Sequence, residues 1–121
     1  MADADLAAAG LRTFFRIAER WKLTDDEQLG LLGQQDISSL VALRSGIAPP
    51  VPRDMLERIS YVLGIFKAIN TLLPVPERAD SWIRAPNTAP LFEGRAPIAW
   101  MASGNVSDLC IVRQYLDSQL V

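Results

Sequence analysis

The sequence predicts an all-α protein, and three observations carry that prediction. Apolar residues recur at three- and four-residue steps through every long segment. Helix start and stop signals punctuate the chain: a capping box, glycines that follow apolar runs, and prolines placed to open helices. No pair of alternating apolar and polar runs reads as a hairpin.

The first helix is predicted over about residues 5–21. Leu6, Leu11, Phe14, Phe15, Ile17, Ala18 and Trp21 would bury one face. Arg12, Arg16 and Arg20 repeat every four residues and stack along another. Such a stripe can grip phosphates or, with Glu19 beside it, form a solvated face. Thr24-Asp25-Asp26-Glu27 then reads as a capping box, in which the Thr24 hydroxyl accepts from the Glu27 amide and the Glu27 carboxylate reaches back. Capping accounts for these acids better than a metal cluster does. Leu29, Leu31 and Leu32 follow, and Gly33 supplies a left-handed stop. After Gln34-Gln35, a second short helix runs from Asp36 through Ser38, Ser39 and Leu40 to Arg44, with Gly46 behind it. Two short helices joined by a glycine-containing turn and braced by a longer one form a helix-turn-helix pattern, although plain three-helix packing gives the same signature.

Residues 47–52 hold three prolines, cannot continue a helix, and read as a hinge. The strongest helix follows. Met55, Leu56, Ile59, Val62, Leu63, Phe66, Ile69, Leu72 and Leu73 fall at helical steps, and Pro74 ends the run. The width of its apolar face predicts a central helix covered on more than one side. Pro76 opens a brief helix carrying Ala79, Trp82 and Ile83. Residues 85–90 form an irregular, extended stretch. Pro97 opens another short helix through Trp100 and Met101, which Gly104 stops. Asn105 is the expected N-cap of the last helix, with Asp108 in its first turn complementing the dipole. Val106, Leu109, Cys110, Val112, Arg113, Leu116 and Leu120 give that helix a mainly apolar face, on which Cys110 packs. The expected division is a helix-turn-helix unit over residues 1–50 and a second helical unit over 51–121.

Composition narrows the function. The 121 residues are 50% apolar and 21% charged, ordinary for one compact unit or two small subdomains. The longest apolar stretch, residues 59–73, is interrupted by Ser60, Lys67, Asn70 and Thr71 and is too short for a bilayer. The opening MADADLAAAG has acids and no basic region, so no secretory signal is expected. A single cysteine, Cys110, allows no internal disulfide and fits a reducing cytoplasm. The net charge of −2 lacks the basic excess of a protein that lives on nucleic acid. Histidine is absent, and no nucleophile elbow, phosphate loop or metal-ligand spacing occurs. The expectation is a protein that is not an enzyme and needs neither metal nor cofactor.

The second half resembles the Xre/MbcA/ParS-type antitoxins, partners of RES-domain toxins. The run from Leu56 to Ala68, closing at Leu73-Pro74, is similar to the long helix of that family. Trp82-Ile83-Arg84-Ala85-Pro86-Asn87, then Pro90-Leu91-Phe92-Glu93-Gly94-Arg95-Ala96-Pro97, resembles its toxin-binding region. So does Met101-Ala102-Ser103-Gly104-Asn105 leading to Leu109, Val112-Arg113 and Tyr115-Leu116-Asp117. The likeness covers roughly residues 10–117 and is strongest after Arg53.

This resemblance implies an antitoxin of a type II toxin–antitoxin system. Its N-terminal unit would be Xre-like, used for dimerisation and operon repression. Its C-terminal unit would hold a toxin that folds like an ADP-ribosyltransferase and consumes NAD, with the chain end at the toxin's active cleft. Arg113, Tyr115, Ser118, Gln119, Leu120 and Val121 are the candidate toxin contacts, and the expected assembly is a homodimer within a hetero-oligomeric complex. Ser38, Ser39 and Arg44 are the candidate DNA contacts. Relatives carry aromatic and basic residues in that helix, whereas this chain offers one arginine, so operator binding is expected to be weak. The alternative is a stand-alone helix-turn-helix transcriptional regulator. Trp82, Trp100 and Phe92 are either interface anchors or pins that hold the short helices. Arg84 and Asn87 are read as organisers of the irregular segment.

Overall fold

The computed structural model describes residues 2–46 and 51–120, with side chains described from Leu6 onward. Most of the expected hinge (residues 47–50) and Val121 therefore lie outside the described residues. Among the described residues, seven helices run in the order α1 (Ala2–Arg20), α2 (Asp25–Leu32), α3 (Ile37–Ser45), α4 (Arg53–Leu72), α5 (Pro76–Trp82), α6 (Pro97–Met101) and α7 (Val106–Gln119). A 3-10 turn, Pro90–Phe92, sits between α5 and α6, and no strand occurs among the described residues.

The local signals act as their chemistry requires. Thr24 Oγ1 accepts from the Glu27 amide (3.1 Å) and Glu27 Oε1 accepts from the Thr24 amide (2.9 Å), so the start of α2 has two of its orphan donors satisfied. Gly33 and Gly46 close α2 and α3 at φ of 70° and 78°, the left-handed region that glycine enters without steric cost. Asp36 Oδ1 caps α3 by accepting from the Ser38 amide (3.1 Å). The expected Asn105 cap is replaced by another residue. Asn105 occupies the N-cap position of α7 with no side-chain cap bond. Ser103 Oγ instead accepts from the Asn105 amide (3.1 Å) and donates to Asp108 Oδ2 (2.6 Å), tying the preceding loop to the first turn.

α4 is the hub, as its wide apolar face predicts. α7 and α1 pack most extensively on it, with α2 and α5 also in contact. A single core joins them: Phe14, Trp21, Leu31, Leu32 and Leu40 from the N-terminal region are continuous with Val62, Ile65, Ile83, Phe92, Met101, Leu109 and Leu116. At about 1.5–3 kcal/mol for each fully buried large apolar side chain, this shared core is the main favourable term in folding. Leu6 departs from expectation. It lies one turn before Gly10, whose α-carbon faces Ile59, and is 70% exposed.

Two glycines set how closely the helices approach. A methyl group at Gly30 would strike the Ala102 carbonyl, so α2 meets the end of α6 backbone to backbone. A methyl group at Gly64 would strike the Arg113 guanidinium, which lies across α4 at that point. Both are mid-helix glycines with a packing reason, which offsets their intrinsic cost of about 1 kcal/mol relative to alanine.

Candidate functional site

Arginines join separate segments across the fold. Arg84, just beyond α5, donates from Nε to the Trp21 carbonyl (3.1 Å) and from Nη2 to the Lys22 carbonyl (2.8 Å). It also grips Glu27 with both guanidinium arms, at 3.0 and 2.7 Å. That bidentate bond holds the Glu27 carboxyl below its ordinary range, against partial burial, with the Thr24 amide helping. Arg84 thus caps the end of α1 and clamps the start of α2, a longer reach than organising its own irregular segment. Arg20 pairs with Asp80 of α5 (3.0 Å) and lies 5.5 Å from the Phe66 ring centre. Arg58, buried on α4, donates to the Gly104 carbonyl (2.9 Å) and pairs with Asp54 (3.2 Å). The α1 stripe is therefore split, with Arg20 in an ion pair and Arg12 and Arg16 exposed.

The irregular segment is closed by its own bonds. Asn87 Oδ1 accepts from the Ala89 amide (2.9 Å), and the Asn87 backbone bonds with Gly94 (3.0 Å) and Arg95 (3.2 Å). Phe92 is fully buried, which removes it as a surface anchor. It serves instead as the post against which Trp82 (5.8 Å) and Tyr115 (5.3 Å) stand edge-on, both at 84°. Trp100 donates from Nε1 to the Phe92 carbonyl (3.1 Å), with Arg95 stacked 4.8 Å from its ring centre. Trp82 and Trp100 therefore brace the short helices against Phe92.

Between the ends of α4, α5 and α7 lies an open groove of about 290 Å³. Ile69, Leu72 and Leu73 form one wall, and Trp82, Tyr115, Leu116 and Gln119 form the other. Among the described residues, no charged side chain lines it. Sequence reading missed it, since Leu72 and Leu73 fit the core period of α4. The available signal was that Leu73-Pro74-Val75 carries apolar residues beyond the helix end.

Of the candidate toxin contacts, Arg113, Tyr115, Ser118 and Gln119 fall on the last two turns of α7 and Leu120 follows it. Arg113 pairs with Asp117 (3.1 Å) while covering Gly64. Tyr115 is half-buried against Phe92. Ser118 donates to the Tyr115 carbonyl (2.6 Å), and Gln119 Nε2 donates to Ser118 Oγ (3.2 Å). Leu120 is 44% exposed, and Val121 lies outside the described residues.

The candidate DNA contacts sit on α3. Ser38 is exposed and Ser39 half-buried. Arg44 donates to Asp25 (2.6 Å) and to Gln28 Oε1 (3.0 Å), binding α3 to α2. The helix also shows Ile37 and Val41 to solvent. Among the described residues no group of three or more His, Cys, Asp or Glu could hold a metal ion, and no helix is long and apolar enough to cross a membrane.

Comparison with known proteins follows this architecture. Residues 1–64 match the antitoxin Xre-like helix-turn-helix domain, and residues 70–119 match the antitoxin Xre/MbcA/ParS C-terminal toxin-binding domain. The chain is also similar to the uncharacterized protein y4oB of Sinorhizobium fredii (strain NBRC 101917 / NGR234), 42% identical over 117 residues, which cover 97% of this chain and 88% of that protein. The groove and the candidate toxin contacts on α7 lie almost wholly within the second matched region. With an all-helical fold, an N-terminal helix-turn-helix domain and a C-terminal toxin-binding domain, the chain belongs to the Xre/MbcA/ParS antitoxin family.

Proposed function

We propose that the chain neutralises a RES-domain, ADP-ribosyltransferase-like toxin by occluding its active cleft with the end of α7. The observation that carries this reading is the exposure of Leu120 beside the last turns of α7. The last turns of α7 lie at the edge of the toxin-binding region and leave Leu120 exposed, one residue beyond an apolar groove. Occlusion needs no catalysis by the antitoxin. It needs an apolar plug where NAD would sit and enough contact around it to hold the plug in place. Ser118, Gln119, Leu120 and Val121 form the plug, with Arg113 and Tyr115 at its base. Residues 1–50 act as the dimerising, operator-facing unit and residues 51–121 as the toxin-binding unit. DNA contact through Ser38, Ser39 and Arg44 is weak, because Arg44 is already engaged by Asp25 and Gln28.

The test is NAD content in cells expressing the cognate toxin with no antitoxin, with the full chain, or with a chain lacking residues 117–121. NAD should collapse with the toxin alone, be restored by the full chain, and stay low with the truncated one. Restoration by the truncated chain would rule out the plug. A toxin that leaves NAD untouched would rule out an NAD-consuming partner.

A further inference from the structure

The groove beside the last turns of α7 is a built feature that shares only Gln119 with the plug. Its aromatic walls are held in place from behind, since Trp82 and Tyr115 both stand edge-on against the buried Phe92. A wall already fixed in one rotamer loses little freedom when something lands on it. The described lining has no charged group, and two exposed apolar residues, Val75 and Leu120, follow its lining residues in the chain. At about 290 Å³ it lies at or below the bottom of the usual range for small-molecule sites, and its size suits one or two amino-acid side chains.

We infer that this groove receives an apolar side chain from the rim of the toxin's cleft, an inference that rests on the occlusion reading above. Geometry links the two contacts. Leu116 and Gln119 line the groove, and the exposed Leu120 directly follows Gln119. Consecutive α-carbons are about 3.8 Å apart, so the groove and Leu120 of the plug are immediate neighbours. Any surface that swallows the plug must bring its rim over the groove. Uncharged pockets with aromatic walls are where interface anchors seat, and rim charges contribute little by comparison. Binding and blockade therefore fall to different parts of the antitoxin, with the groove supplying affinity and the tail closing the cleft.

The test separates those two properties in the full chain. Leu72→Gln and Leu73→Gln make the groove polar, and their folding is checked by thermal melting. Affinity for the purified toxin should fall roughly 10- to 100-fold, the loss expected for failing to bury one large apolar side chain. NAD consumption should still be fully suppressed once the antitoxin is raised to saturation. A chain lacking only residues 120–121, which keeps every residue lining the groove, should do the opposite, retaining affinity within a few-fold and failing to suppress turnover. A measurement on the wild-type chain covers the case of variants that do not fold. On adding toxin, the Leu72 and Leu73 methyl and Trp82 indole NMR resonances should shift. Unchanged resonances in a formed complex, or groove variants that bind as tightly as wild type, would overturn the inference. So would variants that alter the mass of the free chain but leave toxin affinity intact, because a second copy would then own the groove. If truncation alone abolishes suppression while the groove variants match wild type, the occlusion reading stands and the groove inference falls. If the wild-type chain does not bind the toxin, both fall.

Discussion

Replacing Arg84 with alanine would remove four hydrogen bonds that join the toxin-binding region to the helix-turn-helix region. Two go to the Glu27 carboxylate and two to the Trp21 and Lys22 carbonyls, which directly follow α1 and lack a helical partner. The side chains of the ion pair are 38% and 21% exposed, so the pair itself is worth about 1 kcal/mol or less. The carbonyl bonds carry a charged donor, the one to Trp21 partly buried and the one to Lys22 exposed, for about 1 kcal/mol each. Arg84→Ala should therefore cost about 2–3 kcal/mol, lowering the melting temperature by roughly 10 °C for a chain of this length. A double-mutant cycle with Glu27→Ala, followed by urea unfolding, isolates the ion pair. The coupling energy should be about 1 kcal/mol or less, clearly smaller than the cost of Arg84→Ala alone. An Arg84→Ala cost below about 0.5 kcal/mol, or a coupling energy equal to the whole cost, would refute this assignment of energy to the carbonyl caps.

The same carboxylate makes a pH-dependent contribution. Its folded pKa lies below its ordinary 4.5, so the contribution is complete above that value and is lost as pH falls through the folded pKa. The stability gap between wild type and Glu27→Gln should be constant from neutral pH to about 5 and narrow on further acidification; a gap that does not change with pH would contradict the pairing. Gly30→Ala sets helix propensity, a gain of up to about 1 kcal/mol, against a methyl group driven onto the Ala102 carbonyl. Backbone cannot give way as a side-chain end can, so the overpacking cost of about 3 kcal/mol wins and the protein melts lower. Gly46→Ala, with nothing among the described residues within 4 Å and φ of +78°, should cost only the left-handed strain of about 1 kcal/mol. Melting curves showing Gly30→Ala no worse than Gly46→Ala would remove the close α2–α6 approach.

Nearly every helix boundary was legible in the residues, because caps and stops act within one turn. Thr24 and Glu27 are three residues apart, and Gly33 and Gly46 fall directly after their helices. Apolar period likewise identified α4 as the hub, and a distinctive order of motifs after Arg53 carried the family resemblance. The site was less accessible. Arg84 reaches Trp21, Lys22 and Glu27 across 57 to 63 positions of chain, and no local pattern specifies such a partner. Arg44 looks like a free base reader until α2 brings Asp25 and Gln28 beside it. Leu72 and Leu73 share the period of the buried residues, yet they line an open groove that α5 and α7 leave uncovered at that end of α4. Phe92 looks like an anchor and is the innermost aromatic of its cluster. Periodicity states which face of a helix is apolar. Only the crossing of the helices decides which part of that face is covered, and by what.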